Sequence, residues 1–323
     1  MINKSQVGNR ISALRKTKNL SQTLFAEKLG ISSQAVSKWE TGQALPDIEI
    51  LLNISRITQV SINEILEGDN IIYRIANRPY EMKDIAYFVA EEERDYNIEW
   101  AKENVSAGWT KRNWEAQKKT FASRRHISKK IIDHGGCILE LGTGPGGGYM
   151  PCILFEKTDA NIIISDLSPT VVREWKKVLE SELNPPYVSY AALDNCDLPF
   201  NDSSIDVISS GGGFGNTEGD KYKALDEIYR VLKPGGLYIS GDGYVTQETF
   251  KSLPEHAQKA LLEKFPDIFN SFYDASVMAG FKTINNEITG LWSNKDDESN
   301  LADLSRELGV EVIFSGYLRC CIK

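Results

Sequence analysis

Residues 1–68 carry apolar side chains at helical spacing, in short segments that begin at capping residues. Val7, Ile11 and Leu14 lie four and three residues apart, which predicts a helix over Val7–Lys18 with one apolar face. Ser and Asp cap helix N-termini, and Gly ends helices. These signals predict four more helices: Gln22–Leu29 after Ser21, Gln34–Glu40 after Ser32 or Ser33, one starting at Pro46-Asp47, and one starting at Ser61. The N-terminal region is therefore predicted to be all-α.

Two of these helices are joined by the short turn Gly30-Ile31-Ser32, the arrangement of a helix-turn-helix. The string from Leu20 to Gly42 resembles the Cro and lambda-repressor-type (XRE-like) helix-turn-helix family. The resemblance implies that the second helix lies in the major groove of double-stranded DNA. It places Ser33, Gln34, Ser37 and Lys38 at the bases and Gln22 at a phosphate. A helical protein-interaction module with a chance basic face is the alternative interpretation.

After residue 132, short apolar runs predict strands, at Cys137–Leu141, Ile162–Ser165, Val188–Ala192, Ser204–Ser210 and Leu237–Gly241. The first strand runs into the glycine-rich turn Gly142-Thr143-Gly144-Pro145-Gly146, and a helical stretch follows over Tyr149–Lys157. Such a turn lets a ligand approach backbone N–H groups. Asp166 closes the next strand 20 residues after Gly146, where an acid can hold ribose hydroxyls.

Together with Asp194-Asn195-Cys196-Asp197-Leu198-Pro199-Phe200 and Arg230-Val231-Leu232-Lys233-Pro234-Gly235-Gly236, this order of motifs resembles the class I methyltransferases that use S-adenosylmethionine. The resemblance implies an α/β Rossmann-like domain with a seven-stranded, mostly parallel sheet. The implied cofactor residues are Glu140, Gly142, Gly144 and Gly146 at the methionine end, Asp166 at the ribose, Asp194 and Asn195 at the adenine, and Ser210 and Gly211 beside the sulfonium, with Thr143 and Leu167 adjoining. A dinucleotide-binding dehydrogenase explains only the segment Gly142–Asp166.

The methyl acceptor leaves a weaker signal, because methyl transfer by in-line displacement needs a base only if the acceptor must lose a proton. Low-specificity acceptor-side candidates follow the fourth and fifth strands: Phe214, Asn216, Tyr222, Asp242 and Tyr244. Asn184-Pro185-Pro186-Tyr187 matches a tetrapeptide of amino-methylating DNA methyltransferases but precedes a strand, so it is interpreted as a turn. The expected position, Ser209–Asn216, lacks the two prolines, which disfavours DNA base methylation.

Charge divides the chain. The net charge is −8 overall, yet residues 1–68 hold eight basic and six acidic residues, net +2, and the rest is −10. A basic N-terminal surface fits nucleic-acid binding, and the break at Gly68-Asp69-Asn70 predicts a boundary. The predicted domains are a DNA-binding domain over 1–68, a helical linker or cap over 69–132, and a methyltransferase domain over 133–323.

The remaining composition indicates a cytoplasmic protein with no membrane span, no signal segment, reduced cysteines and no metal site. The leading hypothesis is a homodimeric DNA-binding protein whose methyltransferase domain acts on a small or other non-DNA acceptor, coupled to transcriptional regulation. Two alternatives stay open: a regulator that only senses S-adenosylmethionine or a metabolite, and a nucleic-acid methyltransferase.

Overall fold

The computed structural model describes residues 4–67, 71–89, 108–156, 158, 160–183, 185, 187–217, 220–266, 268–269, 276–277, 279–297 and 299–323. The chain forms two compact units, Met1–Arg74 and Ile75–Lys323. The division falls six residues after the one predicted from the sequence. The acidic run at 91–93, Trp100, Asn184 and Pro186 lie outside the described residues.

The N-terminal unit is all-α, as predicted. Its helices are α1 (Lys4–Thr17), α2 (Gln22–Leu29), α3 (Ser33–Glu40), α4 (Ile48–Thr58) and α5 (Ile62–Glu67), and a short α6 (Ile71–Ile75) spans the division between the units. Val7, Ile11 and Phe25 are completely buried in one core with Val36 and Trp39. The apolar face of each helix therefore packs inward, and its polar face stays in solvent.

The second unit contains nine strands among the described residues. They are β1 (Glu81–Met82), β2 (Ala86–Tyr87), β3 (Cys137–Glu140), β4 (Asn161–Asp166), β5 (Val188–Ala192), β6 (Ile205–Gly211), β7 (Leu232–Val245), β8 (Thr283–Ser293) and β9 (Ile313–Ile322). The helices described here are α7 (Trp109–His134), α8 (Met150–Leu154), α9 (Pro169–Glu182), α10 (Lys221–Val231), α11 (Gln247–Ser252), α12 (Glu255–Lys264) and α13 (Asn300–Glu307). The helix after the glycine-rich turn is thus shorter than predicted, and the strand that follows α10 is longer.

The strands form one sheet in the order β1-β2-β5-β4-β3-β6-β7-β9-β8. Neighbours from β2 to β7 run parallel, while β1, β9 and β8 pair antiparallel. The α/β class and the mostly parallel sheet are confirmed. Parallel neighbours bring the carboxyl ends of their strands to one edge of the sheet, where ligands bind in open α/β folds.

The predicted count of seven strands is wrong, because a hairpin in the segment assigned as helical extends the sheet. Strand β2 adds to β5 in parallel, with Ala86 opposite Ala191, and β1 pairs with β2. Each of these strands is two residues long, too short to show an alternating pattern. The segment 69–132 therefore contains strands as well as helices, and its role as a cap stays a prediction.

One face of the sheet packs against α7, α8 and α9 in a large apolar core that includes Trp114, Ile153 and Trp175. The other face carries Tyr238, whose ring lies 6.1 Å from the rings of both Phe214 and Phe281. Within the described residues, no helix combines the length and the apolar character needed to cross a membrane.

Candidate functional site

The ends of α2 and the start of α3 are marked by two serine caps and one glycine. The hydroxyl of Ser21 accepts the N–H of Leu24 at 3.1 Å, and the hydroxyl of Ser32 accepts the N–H of Ala35 at 3.3 Å. Gly30 ends α2 in the left-handed conformation, at φ 69°. That conformation costs glycine little, so the chain reverses here and presents α3 beside α2.

The predicted DNA contacts lie on the solvent side of α3. Ser33, Gln34 and Lys38 are exposed and Ser37 is half-buried. The opposite side of the helix is occupied by Val36 and Trp39, which are buried in the core. The structure thus leaves the polar side chains of α3 available to a partner, and their contact with DNA bases stays a prediction.

Gln22 makes an internal contact that the sequence does not reveal. Its amide N–H donates to the Glu40 carboxylate at 2.8 Å. The same carboxylate accepts Arg15 Nε at 2.6 Å and Arg15 Nη2 at 2.9 Å, and also the hydroxyl of Ser12. One amide hydrogen of Gln22 is therefore already used, and the second is left for the predicted phosphate contact.

The ion pair between Arg15 and Glu40 joins α1 to α3, and both side chains are less than a tenth exposed. Burial alone raises the pKa of Glu40, but the hydrogen bonds from Arg15, Gln22 and Ser12 outweigh it and hold the pKa below its ordinary value. The pairing spans 25 residues, so no helical spacing in the sequence could indicate it.

In the second unit, the glycine-rich turn after β3 is held by the end of β4. The carboxylate of Asp166 accepts the N–H of Gly144 at 2.8 Å and the N–H of Ser168 at 2.9 Å. Thr143 donates both its N–H and its hydroxyl to the carbonyl of Ser165. Asp166 and Gly144, which are 22 residues apart in the sequence, are thus in direct contact.

Close backbone approach explains glycine at two positions of this site. A Cβ on Gly142, where φ is 59°, would lie 2.7 Å from the Cα of Gly213. A Cβ on Gly211 would lie 2.7 Å from the carbonyl carbon of Gly148. No side chain fits at either distance, so the turn after β3 and the turn after β6 meet backbone to backbone.

Glu140, at the end of β3, forms hydrogen bonds with groups that border this site. Its carboxylate accepts the N–H groups of Tyr149 at 2.8 Å and Gly211 at 3.3 Å, and the hydroxyl of Ser209. Burial raises the pKa of Glu140 to about 7, opposed by these hydrogen bonds. The side chain is completely buried, and its place at the methionine end stays a prediction. In this structure Glu140 fixes the two turns that form the site.

The remaining cofactor candidates lie at the carboxyl ends of neighbouring strands. Asp166, Leu167, Asp194 and Asn195 are half-buried. Asp194 accepts the N–H of Cys196 at 2.8 Å, and the amide of Asn195 donates to the hydroxyl of Thr217 at 3.0 Å. Burial raises the pKa of Asp166, against the hydrogen bonds from Ser168 and Gly144.

Beyond β6, Ser210 has a structural role and Gly211 is more open. The Ser210 hydroxyl donates to the carbonyl of Leu141 at 3.1 Å and accepts the N–H of Phe214 at 2.7 Å. Ser210 is completely buried, whereas Gly211 is half-buried. The Ser210 side chain thus ties β6 to the glycine-rich turn.

The acceptor-side candidates separate into three groups. Phe214 is completely buried and Tyr244 is 7% exposed, with the Tyr244 ring 6.0 Å from that of Tyr317, so both are packing residues in this structure. Tyr222 and Asn216 lie on the surface. Asp242 is half-buried and accepts the N–H of Gly215 at 3.1 Å, beside the turn after β6. Asp242 therefore adjoins the candidate cofactor site.

All five cysteines are free thiols, and burial raises the pKa of Cys152 and Cys196. Across the part of the chain that the structure describes, no group of three or more His, Cys, Asp or Glu side chains is arranged to hold a metal ion.

Two segments of the chain match known protein families. Residues 11–65 match the family described as Helix-turn-helix, and residues 139–240 match the family described as Methyltransferase domain. The chain joins a helix-turn-helix domain to a methyltransferase domain. The first match covers α2 and α3, and the second runs from β3 to the middle of β7.

The similar proteins fall into two groups, one for each domain of this chain. The helix-turn-helix domain is 40% identical over 67 residues to the HTH-type transcriptional activator BcrR of Enterococcus faecalis, covering 21% of this chain and 33% of that protein. The methyltransferase domain is 30% identical over 117 residues to the ubiquinone/menaquinone biosynthesis C-methyltransferase UbiE of Marinomonas sp., covering 36% of this chain and 46% of that protein. The chain thus spans less than half the length of these relatives. A solved phosphoethanolamine N-methyltransferase 2 of Haemonchus contortus is 17% identical, with a TM-score of 0.45 and coverage of 61% of this chain and 52% of that one.

The sequence motifs do not reveal one feature of the methyltransferase domain. Side chains of α7 form hydrogen bonds with the glycine-rich turn. Asn113 donates to the carbonyl of Pro145 at 3.4 Å, Gln117 to that of Gly146, and Arg124 to that of Gly148 at 3.3 Å. Arg124 also donates to the Gln117 side chain at 2.6 Å. Their spacings of four and seven residues place these side chains on one face of the helix. That spacing was visible in the sequence, but nothing there indicated the partner.

Proposed function

We propose that the methyltransferase domain transfers a methyl group from S-adenosylmethionine to a small or other non-DNA acceptor. The observation that supports it is the pair of half-buried acids, Asp166 and Asp194, at the carboxyl ends of adjacent strands beside the glycine-rich turn. These acids can accept hydrogen bonds from ribose hydroxyls and from an adenine amino group.

The polar and charged groups of the site suit S-adenosylmethionine. The turn Gly142–Gly148 carries no Lys or Arg that would favour a phosphate group, and the neighbouring acids tolerate a cation. Asp166 would hold the ribose, and Asp194 with the backbone of Asn195 the adenine. The backbone of Gly142, Gly144 and Gly146 would line the methionine end, with Gly211 beside the sulfonium. When bound, the cofactor supplies a methyl group activated by the positive sulfur.

The residues of this chain would act by positioning. Two turns locked by Glu140 and Asp166 give a preorganised site, and orientation of reactants supplies much of the acceleration in a displacement reaction. Asp242 lies beside the turn after β6 and could accept a proton from an acceptor that must lose one. The proposed acceptor side is therefore the region around Gly215 and Asp242.

The position of the tetrapeptide 184–187 supports a non-DNA acceptor. Its last residue, Tyr187, directly precedes β5, at the end of that strand opposite to the end that leads to Asp194. The turn after β6, where such a motif would meet a flipped base, reads Ser-Gly-Gly-Gly-Phe-Gly-Asn over 210–216. This turn has no proline pair, and its Phe214 is buried.

For the helix-turn-helix domain, we propose binding to operator DNA as a homodimer, coupled to transcriptional regulation. The exposed polar side chains of α3 support base contacts in the major groove. Dimers of such domains read paired half-sites. The presence of both domains in one chain would bring methyl transfer and gene control together.

The test uses the full chain with methyl-labelled S-adenosylmethionine and a cell extract divided into metabolite, protein and nucleic-acid fractions. Label in the metabolite or protein fraction supports the proposal, and label in nucleic acid alone overturns it. Saturable binding of S-adenosylhomocysteine in calorimetry with no labelled fraction would instead favour a domain that senses the cofactor. No binding at all would contradict both interpretations.

A further inference from the structure

The exposed face of α7 is strongly basic. The helix has eight basic residues and two acidic ones, a net charge of +6. Seven of the basic side chains are exposed: Lys111, Arg112, Lys118, Lys119, Arg125, Lys129 and Lys130. At 100° per residue they fall within less than half of the helix circumference, so they form one continuous surface. We call these seven residues the α7 basic face.

This surface stands out against an acidic unit. Residues 75–323 hold 28 basic and 38 acidic residues, net −10, and without α7 the remainder is −16. A basic stripe on an acidic body concentrates positive potential at one place. Repulsion among the lysines opposes such clustering, so a partner that offsets it is the simplest physical explanation.

Part of the α7 basic face is neutralised by the body itself. Lys111 pairs with Glu182, Arg125 with Glu156 at 2.7 Å, and Lys130 with Glu287 at 3.7 Å. In the described part of the chain, Lys118, Lys119 and Lys129 are exposed and form no direct ion pair, although the charge of Lys118 also acts on the nearby Glu182 carboxylate. These three lysines are the part of the face without a direct ion pair.

The shape and chemistry of the face fit a phosphate backbone. From Lys111 to Lys130 the helix rises about 28 Å, at about 1.5 Å per residue. The exposed positions of α7 contain no apolar side chain larger than alanine, so the face has nothing to insert into a lipid layer. Its other face is buried against the sheet. An extended polyanion that binds by charge alone satisfies these constraints.

We propose that the α7 basic face binds the phosphate backbone of double-stranded DNA without reading its sequence. The choice of DNA among polyanions rests on the proposed DNA-binding role of the helix-turn-helix domain in the same chain. This is a second contact, made by the unit that carries the methyltransferase domain. It adds affinity that depends on salt, while α3 supplies the specificity.

The test measures binding of the full chain to a duplex of random sequence as a function of salt. The variant Lys118→Gln/Lys119→Gln/Lys129→Gln removes the three charges that form no direct ion pair. The matched control is Lys251→Gln/Lys259→Gln/Lys264→Gln, which removes three exposed charges from α11 and α12. All six side chains are exposed, so both variants are expected to fold, and circular dichroism checks this.

The expected result is a flatter plot of log affinity against log salt for the α7 variant, by about 0.9 per lost phosphate contact and therefore by about 2 to 3. At low salt its affinity should fall at least about tenfold, with the control unchanged. A Gln34→Ala/Lys38→Ala variant measured on the same duplex reports on α3 separately, so failure of the helix-turn-helix proposal is distinguishable.

Several results would overturn the inference. One is a salt slope equal to that of the control variant, and another is no binding of random duplex by the unmodified chain. If the α7 variant instead loses binding to vesicles containing phosphatidylglycerol while its DNA slope is unchanged, the face meets a membrane surface. If it loses self-association in sedimentation, the face meets the acidic surface of a second copy.

Discussion

The N–H of Gly144 donates to the carboxylate of Asp166 at 2.8 Å, so the glycine-rich turn after β3 is held by the end of the neighbouring strand β4. An ionised carboxylate oxygen has room for a further hydrogen bond after accepting one N–H. The same acid can therefore fix the turn and still receive ribose hydroxyls. This dual role is the basis of the first prediction.

Replacing Asp166 with Asn should weaken the binding of S-adenosylhomocysteine by about 10- to 100-fold, because hydrogen bonds to charged groups contribute about 1.5 to 3 kcal/mol. Titration calorimetry on the full chain measures this. Asp226→Asn, on the exposed side of α10, is the matched control and should bind as the unmodified protein does. Equal affinities for the two variants would contradict the assignment.

Glu140 should make the stability of the methyltransferase domain depend on pH. Its pKa is raised to about 7, so the folded state holds the proton more tightly than the unfolded state, whose pKa is about 4.5. The stability from this group is fully present below about pH 4.5 and is lost as the pH rises through about 7.

Glu140→Gln imitates the protonated acid, because its amide oxygen can accept the two N–H groups while its NH2 donates to Ser209. Relative to the unmodified chain, the variant should gain stability between pH 5 and pH 8, on the order of 3 kcal/mol at most. Thermal unfolding across this range measures the difference. A difference that stays constant with pH would show that Glu140 does not titrate there.

Loss of one α7 contact should loosen the glycine-rich turn. Gln117→Leu removes the hydrogen bond to the carbonyl of Gly146, and a neutral hydrogen bond contributes about 0.5 to 1.5 kcal/mol. We expect faster hydrogen exchange over residues 142–148 and an affinity for S-adenosylhomocysteine lower by about 3- to 10-fold. Thr120→Val, on the exposed side of α7, serves as the control, and equal exchange rates in the two variants would refute a positioning role.

The exposed side of α3 should carry operator recognition. Gln34→Ala/Lys38→Ala should lower affinity for an operator selected with the unmodified protein by about 100-fold or more, since each good base contact is worth about 1 to 3 kcal/mol. Gel-shift titration measures this, and binding of S-adenosylhomocysteine should not change. Arg56→Ala removes an exposed cation from α4 instead, and a comparable loss there would point to general electrostatics rather than base reading.

The ion pair between Arg15 and Glu40 should stabilise the helix-turn-helix domain. Glu40→Gln leaves the Arg15 charge buried without its anion, and such a loss costs about 3 to 5 kcal/mol. Because the pKa of Glu40 is lowered, the stability it contributes is present above the unfolded value of 4.5 and is lost as the pH falls through the folded value. Hydrogen exchange in α1 and α3 reports both effects. Unchanged exchange in the variant would show that the pair adds no stability.

Local signals in the sequence were sufficient for much of the architecture. Ser21 and Gly30 mark the ends of α2, and the structure shows both in capping conformations. Three predicted strands, at 137–141, 162–165 and 188–192, match β3, β4 and β5 to within one residue at each end. These features depend on neighbours a few residues apart, and such neighbours are already adjacent in the chain.

Contacts between segments that lie far apart in the chain could not be predicted from the sequence. The strand β2 joins the sheet beside Ala191, about a hundred residues away, and two residues are too few for a periodic pattern. The burial of Phe214 and Glu140 follows from how the turns after β3 and β6 close on each other. The resemblance had placed Glu140 at the methionine end, and the position after the fourth strand had made Phe214 an acceptor-side candidate.

The sequence by itself determined the five helices of the N-terminal unit, the five strands β3 to β7, the position of the glycine-rich turn, and the order of a helix-turn-helix pair before an α/β domain, because capping, periodicity and motif spacing are local. The tertiary structure decided which side chains remain accessible. It buried Glu140 where its hydrogen bonds fix two turns, attached α7 to the glycine-rich turn, and exposed the lysines on the opposite face of α7. Burial and pairing depend on segments brought together in space, and only the folded chain contains that information.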